Sequence, residues 1–286
     1  MTAPALELVG LNKRFGGLPA IKNVSLQVMP GERRLIIGPN GAGKTTLFNL
    51  VTGDLKPDSG SIRLFGQELS RLTPRHIEPS GGLARIARTL LKLARRQIDL
   101  PEAMIELSGR LPTQRRVHLG LARTYQILTL FPRETLLHNV VLSLLGLNRL
   151  RWNPWTTLTD HRELYETART ALARVGLAES ADRIVAETSY GERRRLELAM
   201  ALAQKPRLLL LDEPLAGLSQ AERQTVRDLL DTIPRDVTIV MIEHDMDTAL
   251  GFAERITVLH YGEVIVEGTR AEVVADPRTR EVYLGD

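Results

Sequence analysis

The sequence predicts an α/β fold built on a mainly parallel sheet, and three observations lead to that prediction. Short apolar runs typical of strands alternate with helical patterns along most of the chain. A glycine-rich segment, GPNGAGKT at 38–45, joins one such run to a helical pattern. Four consecutive leucines, 208–211, end in the acidic pair Asp212 and Glu213. Because ligands collect at the carboxyl edge of open α/β sheets, we expect these last two features to lie at a common site.

The strand predictions rest on seven apolar runs: LELVG, VSLQV, RLIIG, PRLLLLDE, VTIVMIEH, ITVLH and EVIVEG. Between about Gln126 and Gln204 the strand patterns stop and helical patterns such as 133–147 and 162–177 replace them. This change predicts a helical subdomain, about 126–204, inserted into a core formed by 1–125 and 205–286.

Composition excludes several classes of protein. The chain has 286 residues, 43 % of them apolar, and a net charge of +4, which is unlike an intrinsically disordered chain. The absence of cysteine excludes disulfides, thiolate zinc sites, iron–sulfur clusters and cysteine nucleophiles. No apolar run is long enough to span a bilayer, and the first ten residues lack a signal-peptide pattern. We therefore expect a soluble intracellular protein.

The segment 38–45 matches the phosphate-binding pattern G-x-x-x-x-G-K-[ST]. Its glycines let consecutive backbone N–H groups surround phosphate oxygens, Lys44 can reach the β- and γ-phosphates, and the Thr45 hydroxyl can ligate Mg²⁺. A strand pattern precedes the segment and a helical pattern follows it, so the positive end of the helix dipole faces the phosphates. The residues predicted to bind the nucleotide are Gly38, Pro39, Asn40, Gly41, Ala42, Gly43, Lys44, Thr45 and Thr46.

The acidic pair supplies a second element of the same site. Asp212 can hold Mg²⁺, while Glu213, pointing to the opposite face of the strand, can polarise an attacking water. A third predicted strand, 237–244, brings Glu243 and His244 to the same edge, where a histidine can contact a γ-phosphate or orient water. Gln126, after Arg123-Thr124-Tyr125, is a further candidate ligand of Mg²⁺ or of the water.

In this order, these motifs resemble those of ABC-transporter ATP-binding subunits over nearly the whole chain except 74–112. The resemblance implies a single nucleotide-binding domain, 1–286, with a P-loop NTPase core of the RecA type, an antiparallel β subdomain and an inserted helical subdomain. It also implies an ATPase that binds ATP and Mg²⁺. The implied roles are adenine stacking for Phe15, Q-loop glutamine for Gln126, signature motif for 189–193, catalytic carboxylate for Glu213, D-loop for 216–219 and switch histidine for His244.

Particular strings resemble the LivG-like subunits of branched-chain amino-acid importers, namely 14–21, 39–53, 120–126, 243–246 and 275–285. Subunits that serve urea or short-chain amides share these strings, so the solute stays open. A soluble ABC-type ATPase acting on nucleic acid or ribosomes is an alternative, but such proteins usually have two tandem ATP domains or a long coiled coil. A nucleotide-binding regulator without turnover is disfavoured by Glu213 and His244.

The resemblance also implies the partners. In the family, Ser189 and Gly191 of one subunit face the ATP held by a second ABC ATPase subunit, which is either identical or related. The pair drives transmembrane permease subunits, and indirectly a periplasmic solute-binding protein, from the cytoplasmic face of the inner membrane. No nucleic-acid partner is expected.

The chain departs from the family pattern in its signature, which has Thr188-Ser189-Tyr190-Gly191-Glu192 where Leu-Ser-Gly-Gly-Gln is usual, and in its D-loop. The signature has Glu192 where Gln is usual, which places a carboxylate near the site and predicts weak repulsion of ATP. The D-loop has Ser219 where Asp is usual, which puts its coupling across a dimer in doubt.

The stretch 74–112 looks foreign to the rest of the chain. It contains an amphipathic pattern, 83–96, with basic residues around an apolar stripe, and its seven basic and four acidic residues give a net charge of +3. Three interpretations remain open: a solvated basic hairpin, a contact with the permease or the inner leaflet, and a regulatory or nucleic-acid contact. Trp152 and Trp155 are expected to cap the helical subdomain or to anchor a partner.

Overall fold

The computed structural model describes residues 3–69, 113–125, 130–148, 161–244 and 251–284, and every structural statement below refers to these. Ten strands form two sheets within them. The strands are β1 Leu6–Phe15, β2 Leu18–Val28, β3 Arg33–Ile37, β4 Ser59–Leu64, β5 Gln67–Glu68, β6 Leu121–Thr124, β7 Leu208–Asp212, β8 Thr238–Ile242, β9 Arg255–His260 and β10 Glu263–Gly268. One sheet is antiparallel, in the order β2-β1-β4-β5. The other, in the order β10-β9-β3-β8-β7-β6, is parallel except for the hairpin β9-β10.

Eight helices accompany the sheets in the described ranges. They are α1 Lys44–Thr52, α2 Thr113–His118, α3 Leu136–Leu145, α4 Arg162–Arg174, α5 Tyr190–Ala203, α6 Gln220–Asp231, α7 Arg270–Ala275 and α8 Pro277–Leu284. Helices α3, α4 and α5 contact one another between β6 and β7, where the sequence predicts helices. None of the described helices has the length and apolar character that a membrane span requires.

The parallel sheet separates two hydrophobic cores, and its strands supply both. In β7, Leu209 and Leu211 pack toward the helices, while Leu208 and Leu210 pack toward α1 and the antiparallel sheet. This two-sided burial explains the continuous run of leucines, because a strand covered on both faces has no polar side. Truncating such a leucine to alanine typically costs about 2–5 kcal/mol of stability.

The predicted fold is confirmed, as are all seven strand predictions. Three strands were missed: β4, which begins with Ser-Gly-Ser; β5, which has two residues; and β6, which is four residues long and half polar. Each is too short or too polar to show strand periodicity on its own. The stretch 74–112, Gln126, Trp152 and Trp155 lie outside the described residues.

Candidate active site

The phosphate loop, 38–45, follows β3 and leads directly into α1. Gly43 is the N-cap of α1 with φ of 102°, and no side chain in the described structure caps this helix. A Cβ at this position would lie 2.5 Å from the carbonyl oxygen of Ala20, so both the dihedral angle and the space require glycine. The first N–H groups of α1 are therefore turned toward the loop, as anion binding at a helix start requires.

Lys44 lies inside this loop, with 5 % of its surface exposed. Its Nζ donates hydrogen bonds to the carbonyl oxygens of Gly38, at 2.6 Å, and Pro39, at 3.0 Å. Burial lowers the pKa of Lys44 below its usual value, while Glu213 and Asp212 act in the opposite direction. The ammonium group is thus held by two neutral backbone acceptors, which leave its positive charge available to a phosphate.

A cleft of about 290 Å³ opens over the loop. It brings together distant parts of the sequence, because Glu213 and His244 line it together with the loop residues. Its lining is Ala20, Asn40, Gly41, Ala42, Gly43, Lys44, Thr45, Thr46, Glu213 and His244. Phe15, Ser189 and Gly191 are not part of this lining; Phe15 lies at the end of β1 with 49 % of its surface exposed. The cleft therefore gathers the predicted phosphate contacts and the predicted catalytic pair, but not the signature segment, 189–193.

Asp212 ends β7 with none of its surface exposed. Its Oδ2 accepts a hydrogen bond of 2.7 Å from Nη2 of Arg123, whereas its Oδ1 has no hydrogen-bond partner in the part of the chain that is described. Burying a carboxylate oxygen without a hydrogen-bond partner costs free energy, and coordination of a metal cation would offset that cost. The Thr45 hydroxyl and Asp212 Oδ1 are oxygen donors of the kind that Mg²⁺ prefers.

Glu213 has a strained backbone and a defined side-chain partner. Its φ is 49°, in the left-handed region that is unfavourable for a side chain of this size, and its N–H donates to the carbonyl of Ile242 at 3.0 Å. Its Oε1 accepts a hydrogen bond of 2.5 Å from Nε2 of His244. Asp212 and Glu213 thus engage different partners, Arg123 and His244.

Arg194, which the sequence did not single out, and Glu243 hold the backbone around Glu213. Arg194, buried on α5, donates to the carbonyl oxygens of Tyr125, at 2.9 Å, and Glu213, at 3.0 Å, and to the carboxylate of Glu197, at 2.7 Å. Burial raises the pKa of Glu197 to about 7, and its pairing with Arg194 offsets this only in part. The carboxylate of Glu243 accepts from the N–H of Leu215 at 3.0 Å, so Glu243 holds the turn that follows β7.

The signature segment begins α5 with a capping box. The Ser189 hydroxyl accepts from the N–H of Glu192 at 3.1 Å, and the Glu192 carboxylate accepts from the N–H of Ser189 at 2.8 Å and from Arg183 at 2.9 Å. Burial acts to raise the pKa of Glu192, but these hydrogen bonds and the Arg183 charge outweigh it and lower that pKa. The carboxylate expected near the site is therefore paired within its own subunit.

Ser219, the D-loop departure, is the N-cap of α6 and forms a second capping box with Glu222. Hydrogen bonds from the Ser219 hydroxyl and N–H, and from the N–H of Gly191, lower the pKa of Glu222. A Cβ at Gly191 would lie 2.2 Å from Oε1 of Glu222, so a larger residue there would displace the Glu222 side chain. The signature segment and the D-loop are thus joined through one carboxylate.

The family described as ABC transporter matches residues 21–216, about two thirds of the chain, and this range contains the phosphate loop, the signature segment and the acidic pair. The chain belongs to the ABC transporter family. Family membership makes it an ATP-binding protein and an ATPase, which agrees with the cleft.

Relatives of this ABC transporter subunit match over its full length. The high-affinity branched-chain amino acid transport ATP-binding protein LivG of Escherichia coli K12 is 32 % identical over 295 residues, covering 100 % of both proteins. BraF of Pseudomonas aeruginosa, which bears the same description, is 33 % identical over 293 residues, also with full coverage. Among solved structures, the ADP conformation of MJ1267, an ATP-binding cassette of an ABC transporter, superposes with a TM-score of 0.75 at 26 % identity, covering 100 % of each.

Proposed function

We propose that this ABC ATPase energises a membrane importer for branched-chain amino acids, working as one of two ATP-binding subunits. The observation that carries the proposal is the cleft in which Lys44, Glu213 and the His244 ring meet over the phosphate loop. Relatives named for branched-chain amino-acid transport match the chain from end to end, which supports the choice of solute.

In the proposed mechanism, the residues at the cleft have separate roles in ATP hydrolysis. The exposed N–H groups at the start of α1 and the Lys44 ammonium bind the phosphates, and Phe15 stacks on the adenine. Glu213 orients the attacking water through its carboxylate, and His244, bonded to that carboxylate, fixes its position. Thr45 and Asp212 would hold Mg²⁺, with Gln126 as a third contact, and the cation would neutralise charge on the transferring phosphate.

The signature segment supports a dimeric arrangement. Ser189 and Gly191 lie at the start of α5 and do not line the cleft described for this chain. In the proposed assembly they contact the ATP of a second, identical or related subunit, so that both nucleotides are enclosed between two chains. The dimer docks on permease subunits at the cytoplasmic face of the membrane and transmits closing and opening to them.

Glu213→Gln tests the catalytic assignment. We expect ATP hydrolysis to fall at least about a hundredfold, because general-base contributions are usually of that size or larger. ATP binding and ATP-dependent dimer formation should persist. Steady-state phosphate release, nucleotide binding and size-exclusion chromatography measure the three quantities. Glu263→Gln, an exposed glutamate on β10, is the control. Turnover within twofold of the unaltered protein would overturn the role of Glu213.

The solute is tested in the assembled transporter. The chain is co-purified with its permease and solute-binding partners and reconstituted in vesicles, and ATP hydrolysis is measured with leucine or with urea. We expect leucine to stimulate hydrolysis severalfold and urea to leave it unchanged. Stimulation by urea alone contradicts the proposed solute while leaving the ATPase assignment intact.

A further inference from the structure

Arg123 lies where three elements of the site meet, yet no part of the sequence pattern assigns it a role. It belongs to β6, its side chain is 4 % exposed, and it is 89 positions from Asp212 in the sequence. Its Nη2 donates to Asp212 Oδ2 at 2.7 Å, and its Nη1 donates to Asn49 Oδ1 of α1 at 2.6 Å. One planar guanidinium therefore connects the ends of β6 and β7 to the helix that follows the phosphate loop.

The orientation of the guanidinium is fixed from several directions. Its Cζ lies 4.7 Å from the ring centroid of Tyr125 and 5.6 Å from that of Phe48. Asp54 Oδ2 lies 3.5 Å from Nη1. Arginine is suited to this position because its donors form a rigid plane that can bond two acceptors while stacking on aromatic rings. A lysine could supply the charge but only a single point of contact.

The contact with Asp212 is one-sided. Arg123 occupies Oδ2 and leaves Oδ1 without a partner among the residues described, in a carboxylate with no exposed surface. Rotation of the carboxylate about its χ2 angle would break the 2.7 Å bond, so the direction in which Oδ1 points is set by Arg123.

The contact with Asn49 concerns Thr45, the other proposed oxygen ligand of Mg²⁺. Thr45 and Asn49 are four residues apart on α1 and so share one face of that helix. By bonding Asn49 and Asp212 together, Arg123 sets the distance between the helix face that carries Thr45 and the end of β7.

We propose that Arg123 is a positioning residue for the magnesium site: it holds one oxygen of Asp212, directs the other toward the cation, and fixes the Thr45 face of α1 opposite it. The inference rests on the proposed assignment of Thr45 and Asp212 as magnesium ligands. Groups that orient metal ligands in this way commonly contribute about 10–100-fold to metal affinity when they are removed.

The experiment measures the coupling between Mg²⁺ and ATP in the purified full-length chain. The dissociation constant of a fluorescent N-methylanthraniloyl ATP is determined with EDTA and with excess MgCl₂, and the ratio of the two constants reports that coupling. We expect Arg123→Gln to reduce this ratio about tenfold, with little change in the dissociation constant measured in EDTA. Arg123→Lys should recover part of the loss, because it restores the charge but not the two-sided geometry.

Arg116→Gln is the matched control. Arg116, on α2, is also a buried arginine that bonds to α1, but its acceptors are the carbonyl oxygens of Leu50, at 2.9 Å, and Val51, at 2.6 Å, at the end of α1 away from the loop. Both variants are expected to lower the melting temperature, but Arg116→Gln should leave the ratio of dissociation constants unchanged. A ratio that is unchanged in Arg123→Gln, or reduced equally in both variants, overturns the inference.

Asp212→Asn separates failure of the inference from failure of the magnesium site. If the unaltered chain shows a Mg²⁺-dependent ratio that Asp212→Asn abolishes, the site stands and the result for Arg123 is decisive. If the unaltered chain binds the nucleotide equally with and without Mg²⁺, the proposed magnesium ligands are wrong, whatever Arg123 does.

Discussion

Two helix N-termini of the chain have proposed roles in phosphate binding, and their surroundings differ. At α1 the N-cap is Gly43, no side chain in the described structure caps the helix, and the first turn has no acidic residue. At α5 the N-cap is Ser189, Glu192 completes a capping box, and the N–H of Gly191 bonds to Glu222. The first terminus is open to an anion before any nucleotide arrives. The second already holds two carboxylates of its own chain.

This difference indicates how the two termini contribute to ATP binding. The lack of a side-chain cap and the nearby Lys44 ammonium suit the start of α1 to bind a phosphate within a single chain. At the start of α5, under the proposed function, a phosphate would share N–H donors with Glu192 and Glu222, so we expect its binding there to gain less free energy. The signature segment is therefore suited to a contact that forms only when a second chain presents ATP and that is readily released after hydrolysis.

The largest effect is expected at α1. Lys44→Gln removes a charged donor from the preformed site, and charge-assisted hydrogen bonds contribute about 1.5–3 kcal/mol each. We expect ATP binding by the isolated chain to weaken about 100-fold. Equilibrium binding of a fluorescent ATP analogue measures this, with Lys56→Gln, an exposed lysine beyond the end of α1, as the control. Equal affinities in the two variants would contradict the proposal that the start of α1 binds phosphate within a single chain.

The sequence pattern points directly to the phosphate loop before α1, but it does not point to the buried arginines that bond to the residues around the site. The phosphate loop is a local pattern, in which the identity and spacing of eight consecutive residues determine the backbone shape. Arg123 and Arg194 bond to partners 89 and 69 positions away, and nothing in their neighbourhood in the sequence distinguishes these buried arginines from arginines at the surface. The hydrogen bonds of these two arginines form only after folding has brought the ends of separate strands together.

The strands show the same limit. Strand β7 was predicted because burial on both faces requires four apolar residues in succession. Strand β6 pairs with it in parallel register but has only four residues, two of them polar, and Arg123 bonds to Asp212. Four residues with this composition are too few to show the periodicity of a strand.

A smaller effect is expected at α5, where Ser189→Ala removes both the cap and a donor to the partner's nucleotide. Thr269→Ala is a matched control, because Thr269 forms the same capping box with Glu272 at the start of α7. Both variants should lose about 1 kcal/mol of stability, measured by urea unfolding. Only Ser189→Ala should also lower ATP hydrolysis of the assembled transporter, by about tenfold, since it removes a phosphate contact. Equal hydrolysis in both variants would restrict Ser189 to a structural role.

The smallest effect concerns the carboxylate at α5. Glu192→Gln removes a negative charge, and two like charges about 10 Å apart in water repel by about 0.4 kcal/mol, so the KM for ATP should fall about twofold at low salt. The change should disappear in high salt, where the charges are screened. Glu272→Gln, the same position in the α7 capping box, should leave KM unchanged. An unchanged KM in Glu192→Gln would mean that Arg183 already neutralises the carboxylate.

The same variant has a pH signature in stability. Because the folded pKa of Glu192 is lowered, its stabilising contribution is present above the unfolded value of about 4.5 and is lost as the pH falls through the lower folded value. The partly exposed pair with Arg183 limits that contribution to about 1 kcal/mol or less. Urea unfolding of both proteins at pH 7 and at pH 3 should therefore show a small difference that shrinks in acid. If it does, Glu192 stabilises the start of α5 in the separate chain through its ionised carboxylate, which glutamine lacks.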